Sequence, residues 1–130
     1  MRFFAASDFG WIVGHSLMVY GSLLRSCASV IFEGKPITPN AGILWKICDN
    51  YKINQLFLTP TAVREIVKID LNGDLIKNYN MSSVNIIHVA GERCDSETMW
   101  WLRKQFPNVL LNDTWWPTEN GWPMGSNMLN

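Results

Sequence analysis

The fold follows from residues 53–67, INQLFLTPTAVREIV, in which a strand pattern leads directly into a helix pattern. The apolar run INQLFLT is typical of a short buried strand. Thr59 and Pro60 come next, and they favour a helix start because the Thr oxygen can accept a backbone N–H and proline suits the first turn. Apolar residues then recur at helical spacing, at Ala62, Val63, Ile66 and Val67. A strand followed at once by a helix is the repeating unit of a parallel sheet.

The same alternation continues on both sides of this stretch. Further helices are predicted over residues 14–26, 38–51 and 95–106, and further strands over residues 28–34, 84–91 and 109–113. Residues 70–83 are predicted to be a polar loop. Strands separated by helices predict an α/β fold with a mostly parallel sheet and crossover helices.

The helices also have predicted caps and buried faces. Thr38 and Asp95 are the residue types that cap helix N-termini. The helix over residues 14–26 is expected to bury Leu17, Tyr20, Gly21 and Leu24. The helix over residues 38–51 is expected to bury Leu44, Ile47, Cys48 and Tyr51.

Composition excludes several classes of protein. The 130 residues suffice for one domain, and the formal net charge of +0 gives no basic face for nucleic acid. No apolar run approaches the roughly 20 residues of a membrane span. The 3 cysteines lie far apart and form neither a zinc spacing nor a disulfide framework, which favours a reducing compartment. Of the 7 tryptophans, five lie between Trp100 and Trp122, and such clustering is typical of a pocket wall or an interface.

A ligand site is expected where the predicted strands end. In open parallel sheets, ligands bind outside the carboxyl ends of the strands. The stretches TPTAVRE, AGERCD and DTWWPTENGWP follow three successive strands, at residues 59–65, 90–95 and 113–123. If the sheet is parallel, these three stretches converge on one crevice, with the tryptophans as walls and the acids and threonines facing a polar ligand.

Each candidate residue also has a structural interpretation. Glu92 could serve only to start a helix, since a carboxylate is favourable at a helix N-terminus. Trp115 and Trp116 could be core residues, and Thr118 and Glu119 could form an exposed turn. His88 lies on a predicted strand, away from other metal-ligand residues, and is expected to be a hydrogen-bonded core or edge residue.

Five segments in the same order resemble short-chain acyl-CoA synthetases, the acetyl- and propionyl-CoA synthetases of the adenylate-forming superfamily. They are SDFGWIVGHSLMVYGSLL, VIFEGKP, LFLTPTAVRE, VAGERCDSET and LLNDTWWPTENGWP. The resemblance implies that residues 1–130 are part of the large N-terminal AMP-binding domain of such an enzyme. The family's phosphate loop, adenylation lysine and C-terminal domain have no counterpart in this sequence, so we expect an internal fragment that is inactive alone.

The activity that the resemblance implies has two steps. A short-chain carboxylate attacks the α-phosphate of ATP, which gives an acyl-adenylate and pyrophosphate, and the thiol of CoA then displaces AMP. The implied cofactors are ATP, Mg²⁺ and CoA as co-substrate, with no nucleic acid or membrane partner. The implied compartment is the cytoplasm or the mitochondrial matrix.

Matching positions imply roles for individual residues. Gly91, Glu92, Arg93, Asp113 and Thr114 correspond to the segments that bind ATP and AMP. The acyl pocket corresponds to Ile12, Val13, Ala90 and Trp116, and Trp11 lies near the route of CoA. Thr118 and Glu119 correspond to the catalytic pair, in which the threonine contacts phosphate and the glutamate helps to hold Mg²⁺.

Departures from the family pattern modify this hypothesis. Acetate-selective members typically have valine where this chain has Ala90, which predicts a wider pocket and favours propionate over strict acetate, although Ile12 acts in the opposite direction. Pro117 replaces the usual glutamine, and Arg93 replaces a common proline. Two alternatives stay open: a non-catalytic truncated remnant that binds nucleotide or a protein partner, and a related adenylating enzyme with a different acceptor.

Overall fold

The computed structural model describes residues 1–127, and it contains a six-stranded sheet in the order β2-β1-β3-β4-β5-β6. The strands are β1 Arg2–Ala5, β2 Ala28–Val30, β3 Gln55–Leu58, β4 Ile86–Val89, β5 Leu110–Trp115 and β6 Gly125–Ser126. Strands β1 to β5 pair in parallel, and β6 pairs antiparallel with β5. The predicted α/β fold with a mostly parallel sheet is therefore confirmed.

Helices cover the two faces of the sheet unequally. The α-helices are α1 Ser22–Leu24, α2 Ile43–Tyr51, α3 Pro60–Ile69 and α4 Ser96–Gln105. The larger core forms on one face, where Trp45, Leu56, Ile66 and Leu102 are almost completely buried. The smaller core lies on the other face, where a π-helical segment, Gly14–Gly21, covers only part of the sheet.

Alternation along β3 separates these two cores. Leu56 and Leu58 belong to the larger core, whereas Phe57 between them belongs to the smaller one. Ala90, the residue after β4, lies beside Phe57 in the smaller core. The side-chain period of two therefore directs Phe57 and Ala90 away from the three long helices.

Two of the three predicted helix caps are confirmed, and the third prediction is wrong. The Thr59 side chain accepts a hydrogen bond from the Ala62 N–H at 3.2 Å, and Asp95 accepts one from the Thr98 N–H at 2.9 Å. Thr38 does not cap α2, because this helix begins at Ile43. The side chain of Asn40 instead accepts a hydrogen bond from the Gly42 N–H at 2.9 Å and turns the chain into the helix.

The buried face predicted for the first helix is only partly correct, because Leu17 packs against the smaller core but two other residues of that face do not. Tyr20 is 61% exposed and Leu24 is 84% exposed, whereas Val13 and Met18 are buried. The cause is the π-helical turn, whose i→i+5 bonds bring residues five apart onto one face in place of the α-helical three or four. Tyr51 of α2 is likewise exposed, and not part of the buried face.

Strand β1 was not predicted, although it lies inside the sheet between β2 and β3. Its Phe3, Phe4 and Ala5 are all buried. The predicted strand over residues 28–34 is shorter in the structure, where β2 ends at Val30. Within residues 1–127, no helix has the length and apolarity that a membrane crossing requires.

Candidate functional site

Loops from four parallel strands meet around a small cavity at the carboxyl edge of the sheet. The cavity has a volume of about 160 Å³. Six residues that the sequence singled out line it: Trp11, Ile12, Val13, Gly91, Trp116 and Thr118. Ser7, Phe57 and Thr59 complete the lining. The structure therefore brings together the loops around Ile12, Gly91 and Trp116.

Ala90 lies behind this cavity and not in its lining. Its side chain is fully buried in the smaller core with Val13 and Phe57, and Trp116 packs against the same cluster. The rings of Phe57 and Trp116 are tilted by 59° with their centroids 6.1 Å apart. Ala90 is therefore separated from the cavity by the cluster to which these two rings belong.

At the end of β5, the side chains of Trp115 and Trp116 lie in different environments. Trp115 pairs with Gly125 of β6 and is 65% exposed, whereas the half-buried Trp116 faces the cavity. Neither tryptophan is a fully buried core residue. Because residues 114 and 115 pair with β6, the intervening segment 116–124 forms a loop with both ends fixed to the sheet.

Thr118 and Glu119 lie on this loop, in a single 3-10 turn, Thr118–Asn120. Both are exposed, and only Thr118 lines the cavity. In residues 1–127, no group of three or more His, Cys, Asp or Glu side chains could hold a metal ion. A single carboxylate beside a threonine nevertheless fits Mg²⁺, which usually takes one or two carboxylates together with phosphate oxygens and water.

Glu92 is exposed at the cavity edge but firmly bound. Its carboxylate accepts hydrogen bonds from the Thr61 N–H at 2.8 Å, from the Thr61 hydroxyl and from Arg64 at 2.7 Å. The hydrogen bond from the Thr61 side chain is the main cause that lowers the pKa of Glu92. Glu92 thus lies at the N-terminus of α3, and not at the start of the helix that follows it in sequence.

The remaining nucleotide candidates do not line the small cavity, and Thr114 lines a second, larger cavity. Arg93 is exposed, and Asp113 is half-buried with its pKa raised by burial. Thr114 is buried, and its hydroxyl donates a hydrogen bond to the Val89 carbonyl at 3.3 Å. These residues end β5 or follow β4, so they lie at the same carboxyl edge of the sheet.

A second cavity, of about 370 Å³, lies on the same sheet face as the smaller core. Phe57 and Trp116 line both this cavity and the small one. Its polar residues include His88 and Asn112, whose side chains are hydrogen-bonded at 3.2 Å. Burial lowers the pKa of His88, in agreement with its predicted role as a hydrogen-bonded residue of the sheet.

Trp11 separates the small cavity from a third one, of about 260 Å³. Ser7, Trp11 and Thr59 line both of them, and Trp11 itself is 67% exposed. Asp8 and Lys35 add opposite charges to the third cavity. A thiol approaching the small cavity from this side would pass the indole ring of Trp11.

Comparison with protein families matches residues 1–129 to the family described as AMP-binding enzyme. This chain belongs to the AMP-binding enzyme family. It is 45% identical over 121 residues to the mitochondrial acyl-CoA synthetase short-chain family member 3 of Mus musculus, which covers 92% of the chain and 18% of that protein.

Two further relatives of this chain are also named as CoA synthetases or ligases. The mitochondrial acyl-CoA synthetase short-chain family member B of Dictyostelium discoideum is 45% identical over 96% of the chain and 18% of that protein. A propionate–CoA ligase of Salmonella typhimurium is 41% identical over 94% of the chain and 19% of that protein. The chain thus spans less than a fifth of the length of these relatives.

Sequence reasoning missed three of the residues that line the small cavity. Thr59 had a signal, because it follows β3 and starts one of the three converging stretches. Phe57 lies in an apolar run with no alternation, so the face that it occupies could not be read. Ser7 could have been found only with strand β1 in place.

Proposed function

We propose that this chain forms the acyl-binding side of an ATP-dependent short-chain acyl-CoA synthetase. The observation that carries the proposal is the 160 Å³ cavity, closed by Trp116 and bordered by Thr118. Sites for drug-sized ligands usually have ~300 Å³ or more, so this volume suits a small acid. The names of the relatives support the same reaction class.

The substrate is proposed to be propionate or acetate. Ile12, Val13 and Trp116 supply an apolar surface for a short alkyl chain. The carboxylate then lies towards Thr118 and the loop of Gly91, where the nucleotide is expected. Such a placement brings a carboxylate oxygen near the α-phosphate, and holding the two reactants in contact lowers the entropic part of the barrier.

The polar residues around the cavity are assigned to the nucleotide. Gly91, Glu92 and Arg93 border the adenine with Asp113 and Thr114, and Thr118 donates to a phosphate oxygen. Glu119 contributes a carboxylate to Mg²⁺, which reduces the repulsion between the two anions. Trp11 borders the approach of CoA, whose thiol displaces AMP from the acyl-adenylate in the second step.

Catalysis is proposed to need more than these 130 residues. The chain covers only 18% to 19% of the length of the relatives named above. The chain is accordingly proposed to be a partial AMP-binding domain that is inactive alone. Its proposed compartment is the cytoplasm or the mitochondrial matrix.

A chimera tests the proposal directly. This chain would replace the matching segment of the Salmonella typhimurium propionate–CoA ligase, to which it is 41% identical. We expect propionate-dependent exchange of pyrophosphate into ATP by the chimera, and none by the 130-residue chain alone. A folded chimera that binds AMP but activates neither propionate nor acetate would contradict the proposed function. Turnover by the isolated chain would contradict the proposed inactivity.

A further inference from the structure

Arg64 on α3 joins two carboxylates of the loop that follows β4. Its Nη1 donates to Asp95 Oδ2 at 2.8 Å, and its Nη2 donates to Glu92 Oε2 at 2.7 Å. The two carboxylates belong to residues three positions apart in the sequence. One planar guanidinium therefore spans the loop from end to end, which a lysine ammonium cannot do with the same geometry.

Both carboxylates are also fixed to helix starts. Glu92 accepts from the N–H of Thr61 in the first turn of α3, and Asp95 accepts from the N–H of Thr98 in the first turn of α4. Arg64 completes a chain of contacts from α3 through the loop to α4. The loop thus depends on side-chain contacts at each end.

The backbone of this loop provides little support of its own. Within the described part of the chain, no backbone–backbone hydrogen bond involves residues 91–94. Gly91 has a φ of 104°, a conformation that glycine adopts readily. Gly91, Glu92 and Arg93 are all exposed. A segment with few backbone bonds and exposed residues is mobile unless side chains hold it.

This loop forms part of the wall of the small cavity, because Gly91 lines it. We propose that Arg64 is a positioning residue that holds residues 91–95 in the shape that borders the cavity and its nucleotide. The nucleotide part of this inference rests on the proposed function, whereas the order of the loop does not. Arg64 itself does not line the cavity, so it acts through Glu92 and Asp95.

The same helix supplies a matched ordinary ion pair. Lys68 contacts Glu65 within α3, and neither residue touches the loop. Exposed pairs of this kind contribute little to stability. Lys68→Gln therefore removes a comparable charge from α3 while it leaves the contacts of Glu92 and Asp95 intact.

The experiment compares the wild-type 130-residue chain with Arg64→Gln, Arg64→Lys and Lys68→Gln. NMR order parameters of the amides of residues 91–94 measure the motion of the loop, and titration with AMP measures affinity. We expect the order parameters to fall from about 0.85 to below about 0.6 in Arg64→Gln. AMP affinity should fall roughly fivefold, because two exposed charge-assisted contacts are lost together.

The two other variants and the core strands β3 and β4 serve as controls. Arg64→Lys should restore part of the order and of the AMP affinity, since a lysine can contact one carboxylate at a time, and Lys68→Gln should match wild type. An unchanged loop in Arg64→Gln would overturn the inference, and so would an equal loss of order in β3 and β4, which indicates a merely structural role. If the loop loosens but neither the wild-type chain nor the chimera binds AMP, the positioning role stands and the proposed function fails.

Discussion

Replacing Ala90 by valine should shift acid selectivity from propionate towards acetate. Ala90 is fully buried against Val13 and Phe57, so the two added carbons have no free space behind the cavity. They displace the rings of Phe57 and Trp116 towards a cavity of about 160 Å³. That volume equals roughly five water molecules at ~30 Å³ each, so a shift of the wall by one carbon removes a large share of it.

The expected magnitude follows from the fit of one methylene group. One methylene in an apolar pocket discriminates by about 1–3 kcal/mol, which corresponds to roughly 10–200-fold. The ratio of kcat/KM for propionate to that for acetate should fall by this factor in the chimera, as measured by pyrophosphate exchange. Because propionate is the longer acid, most of the change should come from its own kcat/KM.

Overpacking alone could also reduce activity, at a cost of about 1–3 kcal/mol of stability. Ala41→Val is the matched control, because Ala41 is equally buried but belongs to the larger core on the opposite face. This control should lower stability without changing the ratio. An unchanged ratio in a folded Ala90→Val chimera would refute the reasoning that residue 90 determines the size of the cavity.

Three further predictions concern stability and the loop. Burial disfavours the charged form of His88, so its folded-state pKa is depressed and stability is lost as the pH falls below about 6.5, the ordinary pKa of the free group. His88→Gln should reduce this loss in thermal unfolding between about pH 7.5 and 5, and an equal loss in the variant would contradict the assignment. Gly91→Ala should lower the free energy of unfolding by about 1–3 kcal/mol in urea titrations, because alanine is strained at a φ of 104°. A variant that unfolds at the same urea concentration as the wild type would contradict this prediction. Trp101→Phe should lower the free energy of unfolding by about 1 kcal/mol in the same urea titrations, because the indole N–H donates to the Leu71 carbonyl at 2.8 Å. Trp100→Phe is the control, because Trp100 is exposed, and an equal loss in both variants would argue against the prediction.

Local patterns predicted the elements in which side chain and backbone agree. Thr59 and Asp95 directly precede their helices, and their side chains accept hydrogen bonds from the N–H groups of Ala62 and Thr98. Thr38 failed because Asn40 lies closer to the start of the helix and accepts from the Gly42 N–H. The choice between two capable caps depends on the path of the preceding loop, which the sequence does not specify.

Non-local features were harder to predict. The π-helical turn that buries Val13 and Met18 has no signature in residue types, so α-helical spacing selected a face that is only partly correct. Strand β1 is short, and its neighbours β2 and β3 are distant in sequence. By contrast, the convergence of the loops could be predicted, because parallel strands place all their carboxyl ends at one edge. The sequence could not show whether Ala90 lines the cavity or lies behind it, because that depends on how Phe57 and Trp116 pack.

The wall made by Phe57 and Trp116 has a cavity on each side. A tilt of the Trp116 indole that enlarges one of these two cavities therefore makes the other smaller. Leu17 and Trp122 line only the larger of these two cavities, together with the same two rings. If the small cavity takes the acid as proposed, residues outside its lining would alter which acid fits, and a redesign of chain-length preference should treat both cavities as one adjustable volume.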